Sequence, residues 1–392
     1  MDEKRHDMEV RNGLDDTGMV VRAADLTRRE FIRRVTEAGF GLFALAQVGV
    51  TTLGLARRLA HAGGRERLTL FVWSGLNLPV VAHEVARFYM RTHPGVQIDV
   101  MEGQNFEVYP KMVSARKLTP NQPLVHFGYS NTQFTYQGDV DDMWESIDPA
   151  NVPNLRNIVP DFYRPQHRGV GFSVAPVGLM YNTRLVKEPP ASWTDMWHPR
   201  FKGKLTSIKY AWYANGLVIA ARLNGGSERN IEPGFRLWAE HADQFVAFAN
   251  SNIEIRDLVI RGDAHLAAMF GGNVLTWKNE GAPVDFVIPR EGMISFPLFL
   301  VIVKGVTPAQ KRIAEEVINL ILSDRWLARW AALTLFVPTT RHQVAPPSLR
   351  ALPMYDPKEI ARAINLDWAT IAANDALWRE RWDKEVVARM RR

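Results

Sequence analysis

Leu68-Thr69-Leu70-Phe71-Val72-Trp73-Ser74-Gly75 is a continuous apolar, β-prone run stopped by two turn-forming residues, the pattern of a buried strand that empties into a loop. Downstream, Val81, Val85, Phe88 and Tyr89 recur at helical spacing between Val80 and Tyr89, and Val96-Gln97-Ile98-Asp99-Val100 reads as a second strand after the turn at His93-Pro94-Gly95. Strand, helix and strand in so short a stretch make a βαβ unit, so the fold class is α/β. In such units ligands sit beyond the carboxyl ends of the strands, which points to Trp73 and Ser74. The next strand pattern, Leu124 to Tyr129, opens into Ser130-Asn131, a loop of hydroxyl and amide groups at the same edge.

Upstream, Thr27-Arg28-Arg29-Glu30-Phe31-Ile32-Arg33 precedes an uncharged run rich in Gly and Ala from Ala38 to Ala56, and Ala60-His61-Ala62 supplies a small-x-small pattern. This is the form of a twin-arginine export signal cleaved after Ala62, with an uncleaved anchor as the alternative. The polar stretch before it has no periodic pattern, and Met19 is a candidate start. The chain from residue 63 on is therefore expected in the periplasm, delivered by the twin-arginine machinery.

Composition narrows the classes further. The chain has 392 residues and a formal net charge of +6, and its Lys and Arg are spread along the sequence instead of gathered in blocks, which argues against nucleic acid as a partner. There is no cysteine, which excludes disulfides, thiolate metal sites, a Cys nucleophile and a lipid-modified Cys. His126, His167, His198 and His265 are isolated, without metal-ligand spacing, and neither a Gly-x-Ser-x-Gly elbow nor a phosphate-cradling loop occurs. No catalytic residue, metal or cofactor is expected. Asp141-Asp142 and Glu315-Glu316 are acidic pairs in polar turn or helix-face contexts, expected to be solvated.

The order of several motifs carries a resemblance. Strand-Trp73-Ser74, Asp148-Pro149 followed by Pro153-Asn154-Leu155-Arg156-Asn157, Ser192-Trp193-Thr194-Asp195-Met196-Trp197 followed by Phe201-Lys202-Gly203-Lys204, and Val284-Asp285-Phe286-Val287-Ile288-Pro289-Arg290-Glu291-Gly292 agree in sequence. Together they resemble the periplasmic solute-binding proteins of ABC importers in the spermidine/putrescine-binding group of the family-1 extracellular solute-binding proteins. The likeness covers most of residues 68 to 345. It implies two α/β lobes of type II-like arrangement with a ligand cleft between them, a monomer, and a membrane permease as partner.

On that reading residues 1–62 are the export segment, 63–176 begin lobe 1, 177–288 form lobe 2, 289–345 return to lobe 1, and 346–392 are helices packing across the lobes. Gly171 to Gly178, extended and punctuated by Gly and Pro, fits the first crossing, and Asp285 to Pro289 followed by Phe299 to Val303 fits the return. Helices are expected over Trp212 to Leu223, Pro308 to Leu322 and Asp324 to Leu335.

Carried over by motif, the resemblance implies a ligand site at Trp73, Ser74, Tyr129, Ser130, Asn131, Trp212, Asn215, Phe270, Asn273 and Phe296, and Lys209, the amides and the Gly271-Gly272 backbone are expected to hydrogen-bond a carboxylate or phosphonate. Polyamine binders pack aromatic rings on the methylene chain and pair each ammonium with a carboxylate. Here the aromatic and hydroxyl positions are kept, whereas Trp212, Asn215, Asn273 and Leu298 stand where the resemblance leads one to expect acids. A neutral, zwitterionic or anionic solute is expected in place of a polyamine. A polyamine binder proper, an exported hydrolase or lyase, and a sensory binding module remain the alternatives.

Overall fold

The computed structural model describes residues 65–390. The Arg28-Arg29 motif, the apolar run after it and the Ala60-His61-Ala62 pattern lie outside the described residues. In chain order the elements are β1 (Glu66–Trp73), α1 (Val80–Thr92), β2 (Val96–Gly103), α2 (Asn105–Leu118), β3 (Phe127–Asn131), α3 (Thr132–Val140), β4 (Trp144–Glu145), β5 (Val170–Val174) and β6 (Val177–Asn182). Then come β7 (Leu205–Ile208), α4 (Leu217–Leu223), α5 (Glu232–Glu240), β8 (Phe245–Ala249), α6 (Asn252–Arg261), β9 (Leu266–Phe270), α7 (Gly271–Asn279) and β10 (Val284–Val287). The chain closes with β11 (Pro297–Val303), α8 (Pro308–Ile321), α9 (Asp324–Thr334), β12 (Val337–Pro338), α10 (Pro357–Ala361) and α11 (Trp368–Glu385).

Two sheets organise a two-lobed α/β fold. The first has the order β12-β5-β11-β3-β1-β2, with β4 paired to β11, and the second has the order β10-β6-β9-β7-β8. β1 runs parallel to both β2 and β3, and β7 parallel to both β8 and β9, while β11, β6 and β10 pair antiparallel with their neighbours. The chain leaves the first sheet at Ala175-Pro176 and comes back over residues 288–296. Leu68, Leu70 and Val72 on β1 and Leu300 and Ile302 on β11 are fully buried, as are Leu179 and Met180 on β6; strands covered on both faces read as unbroken apolar runs for that reason.

The motifs behind the resemblance turn out to be fasteners. Ser192 Oγ donates to the Glu291 carboxylate, Trp193 N donates to it at 3.1 Å, and the Trp193 indole donates to Gly292 O at 2.8 Å. Two stretches about a hundred residues apart in sequence are thus one structural lock. The Asp148 to Asn154 segment is held likewise on α8: Glu315 accepts from Asp148 N at 2.8 Å and from the Asn151 amide at 2.6 Å, and Asn154 N reaches Asn319 at 2.9 Å. Glu315 is only 1% exposed, so the expectation of a solvated acidic pair is corrected. A carboxylate can be buried there because backbone and amide donors meet it.

The helix expected from Trp212 begins only at Leu217. Gly216 sits at φ +78°, a left-handed conformation that ends the preceding turn and leaves Trp212 to Asn215 outside the helix.

Candidate functional site

A cleft of about 450 Å³ lies between the two sheets. Its walls come from the carboxyl ends of six parallel strands: Trp73 to Leu78 after β1, Gln104 to Phe106 after β2, Asn131 on β3, Lys209 after β7, Asn250 to Ile253 after β8, and Phe270 on β9. That is where α/β sheets expose backbone and side chains to a ligand. Gly75, at φ +94°, followed by Leu76 at φ +47°, makes the sharp turn that brings Leu76 and Leu78 into the lining.

Of the residues expected at the site, Trp73, Ser74, Asn131, Lys209, Phe270, Asn273 and Phe296 line this cleft. Tyr129, Ser130, Trp212 and Asn215 do not, and each has a packing role instead. Tyr129 is 1% exposed, stacked at 5.2 Å on Phe172 and 5.1 Å from Trp73, and burial pushes its phenol pKa up. Ser130 Oγ accepts from Thr135 at 2.9 Å. Trp212 is sealed between Trp378 and Trp382, its indole donating to Asp375 at 2.7 Å. Asn215 ties the loop by donating to Lys209 O at 2.9 Å and accepting from Leu217 N at 3.1 Å. The Gly271 backbone N–H is already used within the protein, donating to Pro176 O at 2.8 Å.

Several lining residues were not read from the sequence. Tyr213, one position beyond Trp212, takes the aromatic place in the cleft, with its ring 4.3 Å from Phe296 and 5.5 Å from Phe270. Asn105 holds the first wall together: its side-chain oxygen accepts from the Trp73 indole at 2.6 Å and from Asn131 N at 3.2 Å. The strand-end rule finds Asn105 once β2 is carried to Gly103 instead of stopping at Val100. Asn250 to Ile253 could have been found from Ser251 and Glu254, the signature of a helix start; Ser251 Oγ caps α6 by accepting from Glu254 N at 3.1 Å.

Arg379 has no local signal. It belongs to α11, expected to pack on the lobes, yet it lines the cleft. Asp375 on the same helix accepts from Gln133 on α3 at 3.5 Å as well as from Trp212, so α11 bridges the two lobes at the cleft edge.

Charge in the cleft is arranged in pairs. Lys209 Nζ meets Asp383 at 2.7 Å and Arg379 Nε meets Asp375 at 2.6 Å, both carboxylates being on α11. The two cations also flank the Tyr210 ring at 4.9 and 4.5 Å. Burial works against the charged form of Lys209, but the bonds to Asp383 and Tyr210 prevail and hold its pKa above the usual lysine range. No Asp or Glu is part of the lining among the described residues. Among the described residues, lining groups without a side-chain hydrogen bond to the protein include the Asn273 amide, on the first turn of α7, and the buried Trp277 indole N–H. Such a cleft can clasp a flat or aliphatic body between Trp73, Tyr213, Phe270 and Phe296 and hydrogen-bond its polar edge. A bare ammonium would find no anion in the lining.

Among the described residues there is no group of three or more His, Cys, Asp or Glu able to hold a metal, and no helix long and apolar enough to cross a membrane.

Known proteins with this arrangement are numerous. A spermidine/putrescine-binding periplasmic protein of Haemophilus influenzae is 25% identical over 256 residues, which cover 62% of this chain and 66% of that protein. The crystal structure of an ABC transporter protein from Clostridium perfringens is 20% identical, covers 81% of this chain and 99% of that one, and superposes with a TM-score of 0.65. A periplasmic binding protein of Actinobacillus pleuropneumoniae with fructose-6-phosphate bound is 18% identical, covers 82% of this chain and 99% of that one, and gives a TM-score of 0.64. Residues 134–361, more than half of the chain, match the bacterial extracellular solute-binding proteins, so this chain belongs to that family of solute binders, which are not enzymes.

Proposed function

We propose that this chain is the exported substrate-binding component of an ABC importer, that it captures a small neutral, zwitterionic or anionic organic solute between its lobes, and that it delivers this solute to a membrane permease. The observation that carries the reading is the lining of the cleft, aromatic on its walls and free of carboxylates, with its two cations already paired to Asp383 and Asp375. The family match and the polyamine-binding relative support transport. The lining speaks against a polyamine, since each charge-assisted contact an ammonium would need is worth about 1.5–3 kcal/mol. Solute contact with both lobes would favour the closed form, and closure would present the surface that the permease reads. The Arg28-Arg29 motif supports export by the twin-arginine machinery with cleavage after Ala62; the mass of the exported protein reads that cut directly.

The test is a thermal-shift screen of the purified protein against polyamines, amino acids, carboxylates, phosphorylated sugars and phosphonates. A solute at about 100 times its Kd adds about 2.7 kcal/mol of stability, and it is expected among the uncharged, zwitterionic or anionic compounds. A shift with putrescine or spermidine and with nothing else would return the specificity to polyamines.

A further inference from the structure

Away from the cleft, α1 and α9 enclose a second concavity of about 550 Å³, lined by Glu84, Arg87, Phe88, Arg91, Arg325, Trp326 and Arg329. On α1, residues 84, 87, 88 and 91 follow the i, i+3, i+4, i+7 spacing of one helix face, and on the first turns of α9 Arg329 neighbours both Arg325 (i, i+4) and Trp326 (i, i+3). Neither stretch is a basic block in the sequence. Folding alone brings four arginines and one glutamate together, in a chain whose formal net charge is only +6.

The groove has an aromatic floor and cationic rims. Trp326 is buried and Phe88 half-buried, with their rings 6.3 Å apart, while all four arginines are exposed. Glu84 is taken up by Arg329, at 3.0 Å. Among the described residues, Arg87, Arg91 and Arg325 have no carboxylate within 4.0 Å. Two of these lie over the floor: Arg91 is 5.7 Å from the Phe88 ring, and Arg325 is 5.0 Å from Trp326 and 5.9 Å from Phe88. Three exposed arginines side by side, with the one nearby carboxylate of the lining taken up by Arg329, make a positive patch that attracts anionic groups. A guanidinium resting on a ring is already oriented, and its fork of N–H donors fits carboxylates two at a time.

We propose that this groove docks an acidic protein segment, with carboxylates of the segment on Arg87, Arg91 and Arg325 and an apolar side chain of it on Phe88 and Trp326. The shape favours a protruding chain over a flat anionic surface. The aromatic rings lie on the floor instead of standing out from the surface, and the rims carry arginine and no lysine, so a bilayer would reach the charges without the rings. The inference goes beyond solute capture and does not depend on which solute the cleft takes.

The test uses the purified full chain with dye-labelled decaglutamate as the acidic probe, read by fluorescence anisotropy, and vesicles of phosphatidylcholine with phosphatidylglycerol, read by cosedimentation. Decaglutamate is expected to bind at about 50 mM salt and to weaken several-fold by about 300 mM. The double charge reversal R87E/R325E is expected to weaken it about tenfold or more without lowering the melting temperature, because both side chains are exposed. R184E/R350E, reversing two exposed arginines elsewhere, should leave it within about twofold. Absence of peptide binding at low salt, or equal losses in the two double variants, would overturn the proposal. So would vesicle binding that only R87E/R325E abolishes while the peptide stays unbound, since that assigns the groove to lipid.

Discussion

Asn105 offers a sharp test of how the cleft is held. It is 5% exposed, and its single side-chain oxygen accepts from the Trp73 indole at 2.6 Å and from Asn131 N at 3.2 Å. Truncation by Asn105→Ala strands both donors. A buried N–H left without a partner costs about 1–3 kcal/mol, so the two together set a range of about 2–6 kcal/mol. Asn131 is half-buried at the cleft wall, where water can meet its N–H, which moves the expectation to the lower half, about 2–4 kcal/mol. Asn105→Asp keeps the acceptor and should lose less than half of that near neutral pH, since two N–H groups then face a carboxylate. The assay is urea unfolding of both variants beside the parent, with a common slope as the condition for comparing midpoints. Solute affinity is measured in parallel, and Asn105→Ala should weaken it, because Trp73 and Asn131 are no longer fixed. An Asn105→Ala midpoint equal to the parent's, or an Asn105→Asp loss as large as that of the alanine, would refute the claim that this oxygen organises the wall. Because Asn105→Asp also places an acid in a lining that has none, it should raise affinity for putrescine.

Asn273 lines the cleft with no protein partner for its amide, so Asn273→Ala should cost about fivefold in solute affinity, about 1 kcal/mol, and leave the unfolding midpoint in place; calorimetry with the solute found by the screen reads both. Glu291 fastens the Ser192-Trp193 stretch. Burial alone would raise its pKa, but hydrogen bonds from Ser192, Trp193 N and Arg290 outweigh it and hold the carboxyl below its ordinary value of 4.5. Its folded-state pKa is therefore depressed, so its stabilisation is complete above about pH 4.5 and is lost as the pH falls through the folded value. Melting curves from pH 6 to pH 3 should show Glu291→Gln less stable than the parent at pH 6, with the gap closing toward pH 3; a gap independent of pH would deny the linkage.

The secondary structure was largely legible in the residues because its periods are local. The strand at Leu68 to Trp73, the helix after Val80, and the helices over Pro308 to Leu322 and Asp324 to Leu335 all appear within a residue or a few of where the patterns put them. The rule that ligands gather at strand carboxyl ends pointed to Trp73, Ser74 and Asn131, and the resemblance to Phe270, and all four line the cleft. The resemblance missed by one residue at Trp212: Tyr210, Trp212 and Tyr213 are all aromatic, and the folded chain puts Tyr213 in the cleft while Trp212 packs against α11 and donates to Asp375.

The sequence by itself determined the α/β alternation and the family likeness, since each of these is carried by residue type at a position along the chain. Only the tertiary structure decided which charges are spent. Glu315 is buried and bonded though its neighbourhood looks polar, Lys209 and Arg379 are paired with carboxylates of a helix more than a hundred residues away from Lys209, and Arg87, Arg91 and Arg325 share one groove with no carboxylate within 4.0 Å among the described residues. Whether a charge has a partner depends on distances of 3 to 6 Å between segments remote in sequence, and local patterns hold no information about those distances.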